Sequence, residues 1–201
     1  RHYAKRGAKG FMMGASVPVG RSYGEPIFDS LWAEAQDLDV PLAMHTTTGK
    51  WKRPSVLNPS VRGLGGGYAE VQASLAEMIY GGIFDRFPKL KIVISEFDIG
   101  WVAHMVGKLE VHDPKLGLQL APAEYLRRNV WFTFQDDRAG CLTTPMFGEN
   151  NFLWSNDFPH GVTTWPDSQA IVERQFEGIS EEVKRKITRQ NTIDLYKLDL
   201  A

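Results

Sequence analysis

The chain has 201 residues, of which 43% are hydrophobic and 23% charged; at roughly 100–200 residues per domain this reads as one folded domain spanning residues 1–201, with ample material for a core. Lys plus Arg number 23 against 24 Asp plus Glu, a net charge of -1, which argues against an electrostatic grip on nucleic acid or membrane and leaves a small-molecule substrate as the expected partner. The lone Cys141 excludes an intramolecular disulfide and a cysteine-rich zinc site; no apolar run reaches the roughly 18 residues of a membrane span, and the opening Arg-His-Tyr-Ala-Lys-Arg lacks a signal-peptide core, so cytoplasm is the default location.

Five brief apolar clusters, bounded by turn residues and rich in branched or aromatic side chains, predict buried strands at residues 9–13, 41–45, 90–96, 130–134 and 152–156. Helical patterns lie between them. Residues 26–39 open on Pro26 and carry Ile27, Phe28, Leu31, Trp32, Ala35 and Leu38 on one stripe; residues 69–84 carry Val71, Leu75, Met78, Ile79 and Ile83, and Pro88 stops them. A third helix follows Gly100 on Trp101, Val102, Met105 and Leu109. Ser180 is the expected cap of a charged helix through Gln190, and residues 191–198 close the chain as a short helix. Strand and helix alternate, which implies an α/β fold with a mostly parallel sheet, either an open doubly wound sheet or part of a (β/α) barrel.

Residues 46–67 break the short-loop rule. They hold Lys50, Trp51, Lys52, Arg53, Pro54, Pro59, Arg62 and glycines 63, 65, 66 and 67, and connections beyond about 12–15 residues are uncommon unless functional or disordered, so the segment is expected to be mobile or to fold over the strand-end rim as a lid. The glycines lack the Gly-Lys-Ser/Thr ending of a phosphate cradle.

Ligands in parallel α/β folds bind at the carboxyl ends of strands. The second strand ends in His45, the third in Glu96, and the fifth reaches Asp157 with His160 three residues on. Singly, each has a plain structural reading: a hydrogen-bonded histidine, a rim salt bridge, an Asp that caps or turns the chain. Together they supply imidazole and carboxylate donors with no thiolate, the set that hard and borderline divalent metals take.

These residues resemble a known family. Pro-Leu-Ala-Met-His45, the segment from Gly82 to Glu96 followed by Gly100-Trp101, the run Trp154-Ser-Asn-Asp157-Phe-Pro-His160 and the closing Asn191-Thr-Ile-Asp-Leu-Tyr196 are together similar to the carboxyl-terminal part of the amidohydrolase-related (amidohydrolase 2) family of metal-dependent hydrolases and decarboxylases. The resemblance implies a (β/α)8 TIM barrel of which this chain covers about strands 4 to 8, beginning in the helix before strand four. It makes His45 and Asp157 metal ligands, and Asp157 also the proton carrier. The family's first-strand His-x-His or Glu-x-His pair is not found, and Glu96 stands where several branches have an acid-base histidine.

The expected activity is hydrolysis or decarboxylation of a small aromatic or carboxylated compound. Asp157, Glu96 and His160 are the expected catalytic groups, Trp51, Arg53 and Arg62 the substrate contacts, and one divalent metal, zinc ahead of manganese, the cofactor; self-association into a homo-oligomer is also expected. Two alternatives stand beside this reading: a metal-free doubly wound binding or scaffold module, and a catalytically incomplete half of a split barrel. Trp101 is assigned to core packing, and His104, His112 and Cys141 to no role.

Overall fold

A computed structural model describes residues 1–18, 20–49, 59–111 and 117–200. All five expected strands form, each within a residue or two of its expected bounds: β1 (Phe11–Gly14), β2 (Leu42–His45), β3 (Ile92–Ser95), β4 (Val130–Phe134) and β5 (Phe152–Trp154). They make one sheet in the order β1-β2-β3-β4-β5, every neighbouring pair parallel. Sequential order matters, because a doubly wound sheet reverses its winding at a switch point whereas a barrel keeps adding strands on the same side. The doubly wound alternative is therefore set aside.

The helices required more correction. The segment after β1 starts as a tight turn over Pro26–Phe28 and becomes α1 at Asp29–Asp37; the chain then turns at Asp39, whose φ is 51°. Much of the expected lid is helix, since α2 runs Pro59–Tyr80. Proline at a first helical position needs no N–H, and burial of Val71, Leu75, Met78 and Ile79 further along holds the helix despite its glycines. Gly82, at φ 67°, breaks it from α3 (Ile83–Arg86), which were expected as one helix.

Then come α4 (Gly100–Val111) and three helices that the apolar pattern did not announce: α5 (Pro122–Asn129), α6 (Arg138–Phe147) and α7 (Ser168–Gln175). Cys141 lies buried in α6. Ser180 caps α8 (Glu181–Arg185), its hydroxyl accepting from Val183 N; a wider turn over Lys186–Gln190 leads into α9 (Asn191–Tyr196).

Each face of the sheet has its own cover. Leu42, Met44, Ile92, Ile94, Val130, Phe132, Phe134 and Phe152 pack beneath the helices with Trp32, Leu75, Phe84 and Leu126. Val93 and Leu153, with Ala43 and Trp131, meet Leu195 and Tyr196 on the other face. Burial on both sides explains the unbroken Ile-Val-Ile run of β3. Past α9 the chain returns to the opposite edge: Lys9 Nζ donates to Lys197 O at 3.1 Å, and Lys197 and Lys91 both pair with Asp39.

Three asparagines fix how the strands start. Asn129 Nδ2 donates to Leu90 O (2.7 Å), Asn151 Nδ2 to Val130 O (2.8 Å) and Asn191 Nδ2 to Phe152 O (2.8 Å). Each amide donates to a backbone carbonyl at the amino end of a strand, where buried carbonyls need donors.

Phe132, 0% exposed, touches Trp101, Phe147 and Phe152 at ring separations of 5.6, 5.7 and 6.0 Å. Phe132→Ala should lower unfolding free energy by about 3–5 kcal/mol in a denaturant titration, while Met12→Ala, at a side chain 68% exposed, should stay within about 0.5 kcal/mol.

Candidate active site

The carboxyl ends of β2, β3 and β5 bring four of the expected side chains together. His45 ends β2, and its Nδ1 lies 2.7 Å from Thr46 O. A carbonyl can only accept, so Nδ1 carries the proton and, in the neutral ring, the lone pair lies on Nε2. That Nε2 is 3.3 Å from Glu96 Oε1. His160 Nδ1 lies 2.8 Å from Asp157 Oδ1 and 3.7 Å from Glu96 Oε1. One ligating atom each from Glu96, Asp157 and His160 fits within 4.8 Å.

The backbone is bent to present the two acids. Glu96 has φ 61° and Asp157 φ 56°, in the left-handed region that costs a residue with a side chain roughly 1–2 kcal/mol. Neighbouring elements hold these turns. Glu96 N donates to Thr133 Oγ1 on β4 at 3.0 Å. Asp137, ahead of α6, accepts from Ile99 N (2.8 Å), Gly100 N (2.6 Å) and Gly140 N (2.8 Å), tying the loop after Glu96 to two helix starts. After β5, His160 N donates to Asp157 O at 2.9 Å, and Asn156 O accepts from Thr164 N and Thr163 Oγ1.

Two facing carboxylates repel unless something positive lies between them. Burial, then the contact with Asp157, pushes the Glu96 carboxyl above its ordinary range. Burial works against ionisation of Asp157 too, but its contacts with Glu96 and His160 prevail and hold it below the ordinary range. The bond to Asp157 raises His160. The proton affinities of the two acids are therefore driven apart, the arrangement that acid-base chemistry uses.

The same donors fit a divalent cation. The Asp157 side chain is 7% exposed, and its Oδ2 is buried with no hydrogen-bond donor among the described residues. An anionic oxygen in that condition is costly without a positive partner. Oxygen and imidazole donors without thiolate suit zinc or manganese. Among the described residues, Glu96, Asp157 and His160 form a group of three donors that could hold an ion, and it shares Asp157 with the expected pair of His45 and Asp157. His45 sits beside it, in contact with Glu96.

The remaining expectations divide. Trp51 and Arg53 lie outside the described residues, as do the side chain of Arg62, His112 and residues 50–58 of the expected lid. His104 is exposed on α4. Trp101 packs on Phe132 and donates to Phe97 O at 2.6 Å, in keeping with its assignment to the core. Thr133, Asp137 and Thr48 were not anticipated. Only Asp137 had a usable signal, an acid ahead of Arg-Ala-Gly where a helix starts.

A family model described as Amidohydrolase matches residues 1–198. The chain is 24% identical over 207 aligned residues to the 2-amino-3-carboxymuconate-6-semialdehyde decarboxylase of Dictyostelium discoideum, covering 96% of this chain and 54% of that protein. The solved structure of amidohydrolase map2389c from Mycobacterium avium subsp. paratuberculosis K-10 superposes with a TM-score of 0.79 at 26% identity, over 99% of this chain and 53% of that one. A dihydroxybenzoic acid decarboxylase from Polaromonas sp. JS666, solved with bound manganese and the inhibitor 2-nitroresorcinol, shares the fold with a TM-score of 0.68 at 20% identity, over 90% of this chain and 56% of that one. The chain thus spans about half the length of these relatives.

Because the Asp157 contact is the main cause of the raised His160 pKa, Asp157→Asn should return His160 toward about 6.5 in an NMR titration. The sign of the linkage follows: the His160–Asp157 pair supports folding fully below the ordinary histidine pKa and fades as pH rises through the raised one. An unchanged His160 titration in the Asn variant would show that the pair is not formed.

Proposed function

Because the chain belongs to the amidohydrolase family, we propose that it supplies the acid-base side of a metal-dependent enzyme that decarboxylates a small aromatic carboxylate. Hydrolysis through the same groups is the second reading, and the decarboxylases among the named relatives favour the first. The observation that carries the proposal is the buried, donorless Oδ2 of Asp157 set among Glu96, His160 and His45.

In this reading His45 Nε2 and Asp157 hold one divalent cation, zinc or manganese, with Glu96 and His160 beside it. When bound, the cation supplies fixed positive charge that holds and polarises a substrate carboxylate or acidifies a water molecule. Glu96 and His160, both shifted toward holding a proton, are the proposed proton sources, and Asp157 Oδ1, in contact with His160 Nδ1, passes one on. During decarboxylation the bond between ring carbon and carboxylate breaks, its electron pair stays on the ring carbon, and the relayed proton forms the new C–H bond. Trp51, Arg53 and Arg62 are proposed as substrate contacts, the arginines for its carboxylate.

We assign β1 to β5 to strands 4 to 8 of a (β/α)8 barrel. Further metal ligands then come from protein outside these 201 residues, since a catalytic site takes about three protein ligands plus an open position, and the 201-residue chain by itself is expected to be inactive.

The test uses the full-length protein loaded with manganese or zinc, run in D2O on a panel of hydroxybenzoates and, separately, of esters and amides. Decarboxylation should release CO2 and leave one deuteron on the carbon that lost it. Asp157→Asn should lower turnover about 10²-fold or more while only weakening metal binding, because the amide keeps an oxygen but cannot carry the proton. Wild-type rates in that variant would contradict the mechanism; ester or amide cleavage without CO2 release would transfer the proposal to hydrolysis.

A further inference from the structure

Among the described residues, Glu70 on α2 is a buried acid on the carboxyl side of the sheet, 7% exposed, and neither the proton relay nor the metal donors use it. It sits where two rim loops meet. After β1, Ser16 Oγ donates to Glu70 Oε1. After β2, the Glu70 carboxylate presses on the bare Cα of Gly49, where any Cβ would fall inside it. Its charge, after burial itself, helps push the neighbouring Tyr23 phenol up to about 12.

The loop that Glu70 braces is the one that orients His45. Thr48 Oγ1 accepts from Ala15 N at 2.9 Å and donates to His45 O at 2.5 Å, bridging the ends of β1 and β2. Thr46 N donates to Ser95 O at 3.1 Å. Thr47 takes a left-handed φ of 65°, and the turn sets Thr46 O 2.7 Å from His45 Nδ1. Val71 and Leu75 on the same helix are apolar and buried, so packing alone gives no reason for an acid here. A desolvated carboxylate is costly wherever it is used only to fill space.

We infer that Glu70 is a positioning residue: by clamping Ser16 and Gly49 it fixes the loop of residues 46–49, and that loop holds His45 in the Nδ1–H form with Nε2 turned to Glu96. The inference concerns the geometry of one imidazole and stands whichever reaction the site performs.

The experiment is ¹⁵N NMR of the His45 ring in the ¹⁵N-labelled chain near pH 8, where a free histidine is neutral, with the signal assigned by loss in His45→Gln. Wild-type protein should show one protonated Nδ1 and one unprotonated Nε2. In Glu70→Gln and in Ser16→Ala the two frequencies should move toward each other as the tautomers mix. Leu75→Ala, a buried apolar change on the same helix, should lower stability and leave them in place. Should Glu70→Gln fail to fold, Ser16→Ala decides, because it keeps the acid and removes the hydroxyl that bonds it after β1. Unchanged frequencies in the folded clamp variants, or an equal movement in Leu75→Ala, would overturn the inference.

Discussion

Two carboxylates that approach each other away from bulk water are stable only with a proton or a cation between them, and the carboxyl rim of this sheet is organised around that requirement. Glu96 arrives from β3 and Asp157 from β5, each through a residue held in the left-handed region. The imidazoles of His45 and His160 stand against the same oxygens. With only a proton to share, Glu96 binds it more readily than Asp157, which lies beside His160; in the proposed metal-bound state His45 Nε2 and Asp157 hold the cation and Glu96 and His160 stand beside it. In the proposed reading one set of side chains serves both as a proton store and as a metal seat.

Such a cluster survives only on a scaffold that resists the repulsion within it. The strands supply that scaffold by running parallel in sequence order, so every carboxyl end points to one rim while the three asparagine amides fix the amino ends. Asp137 and Thr133 then hold the Glu96 turn from the β4 side, and Glu70 and Thr48 hold the His45 turn from the β1 side. Polar groups set the geometry of the rim, and burial of aromatic and branched side chains beneath it supplies the stability.

The sequence made some of this legible and concealed the rest for identifiable reasons. The strands could be read because a parallel sheet covered on both faces demands unbroken apolar runs such as Ile92 to Ile94. His45, Glu96, Asp157 and His160 could be read because each follows such a run within a few residues. The start of α2 was hidden by its glycines, which lower helix propensity while tertiary burial of Val71 and Leu75 overrides it. Pro145 inside α6 and the short, largely polar α7 disguised those helices in the same way. Glu70, Thr133 and Asp137 act across separations of 37 to 54 residues, and no local pattern reports a contact at that range.

The central claim is that Glu96 and Asp157 form one coupled site whose proton affinities are driven apart. Carbon-13 NMR of the two side-chain carboxyls, followed through an acid titration of the metal-free chain, measures this directly. The account predicts that Glu96 titrates above the ordinary carboxylate range and Asp157 below it, and that Asp157→Asn moves the Glu96 midpoint. Two independent midpoints at ordinary values, with Glu96 indifferent to Asp157→Asn, would contradict it.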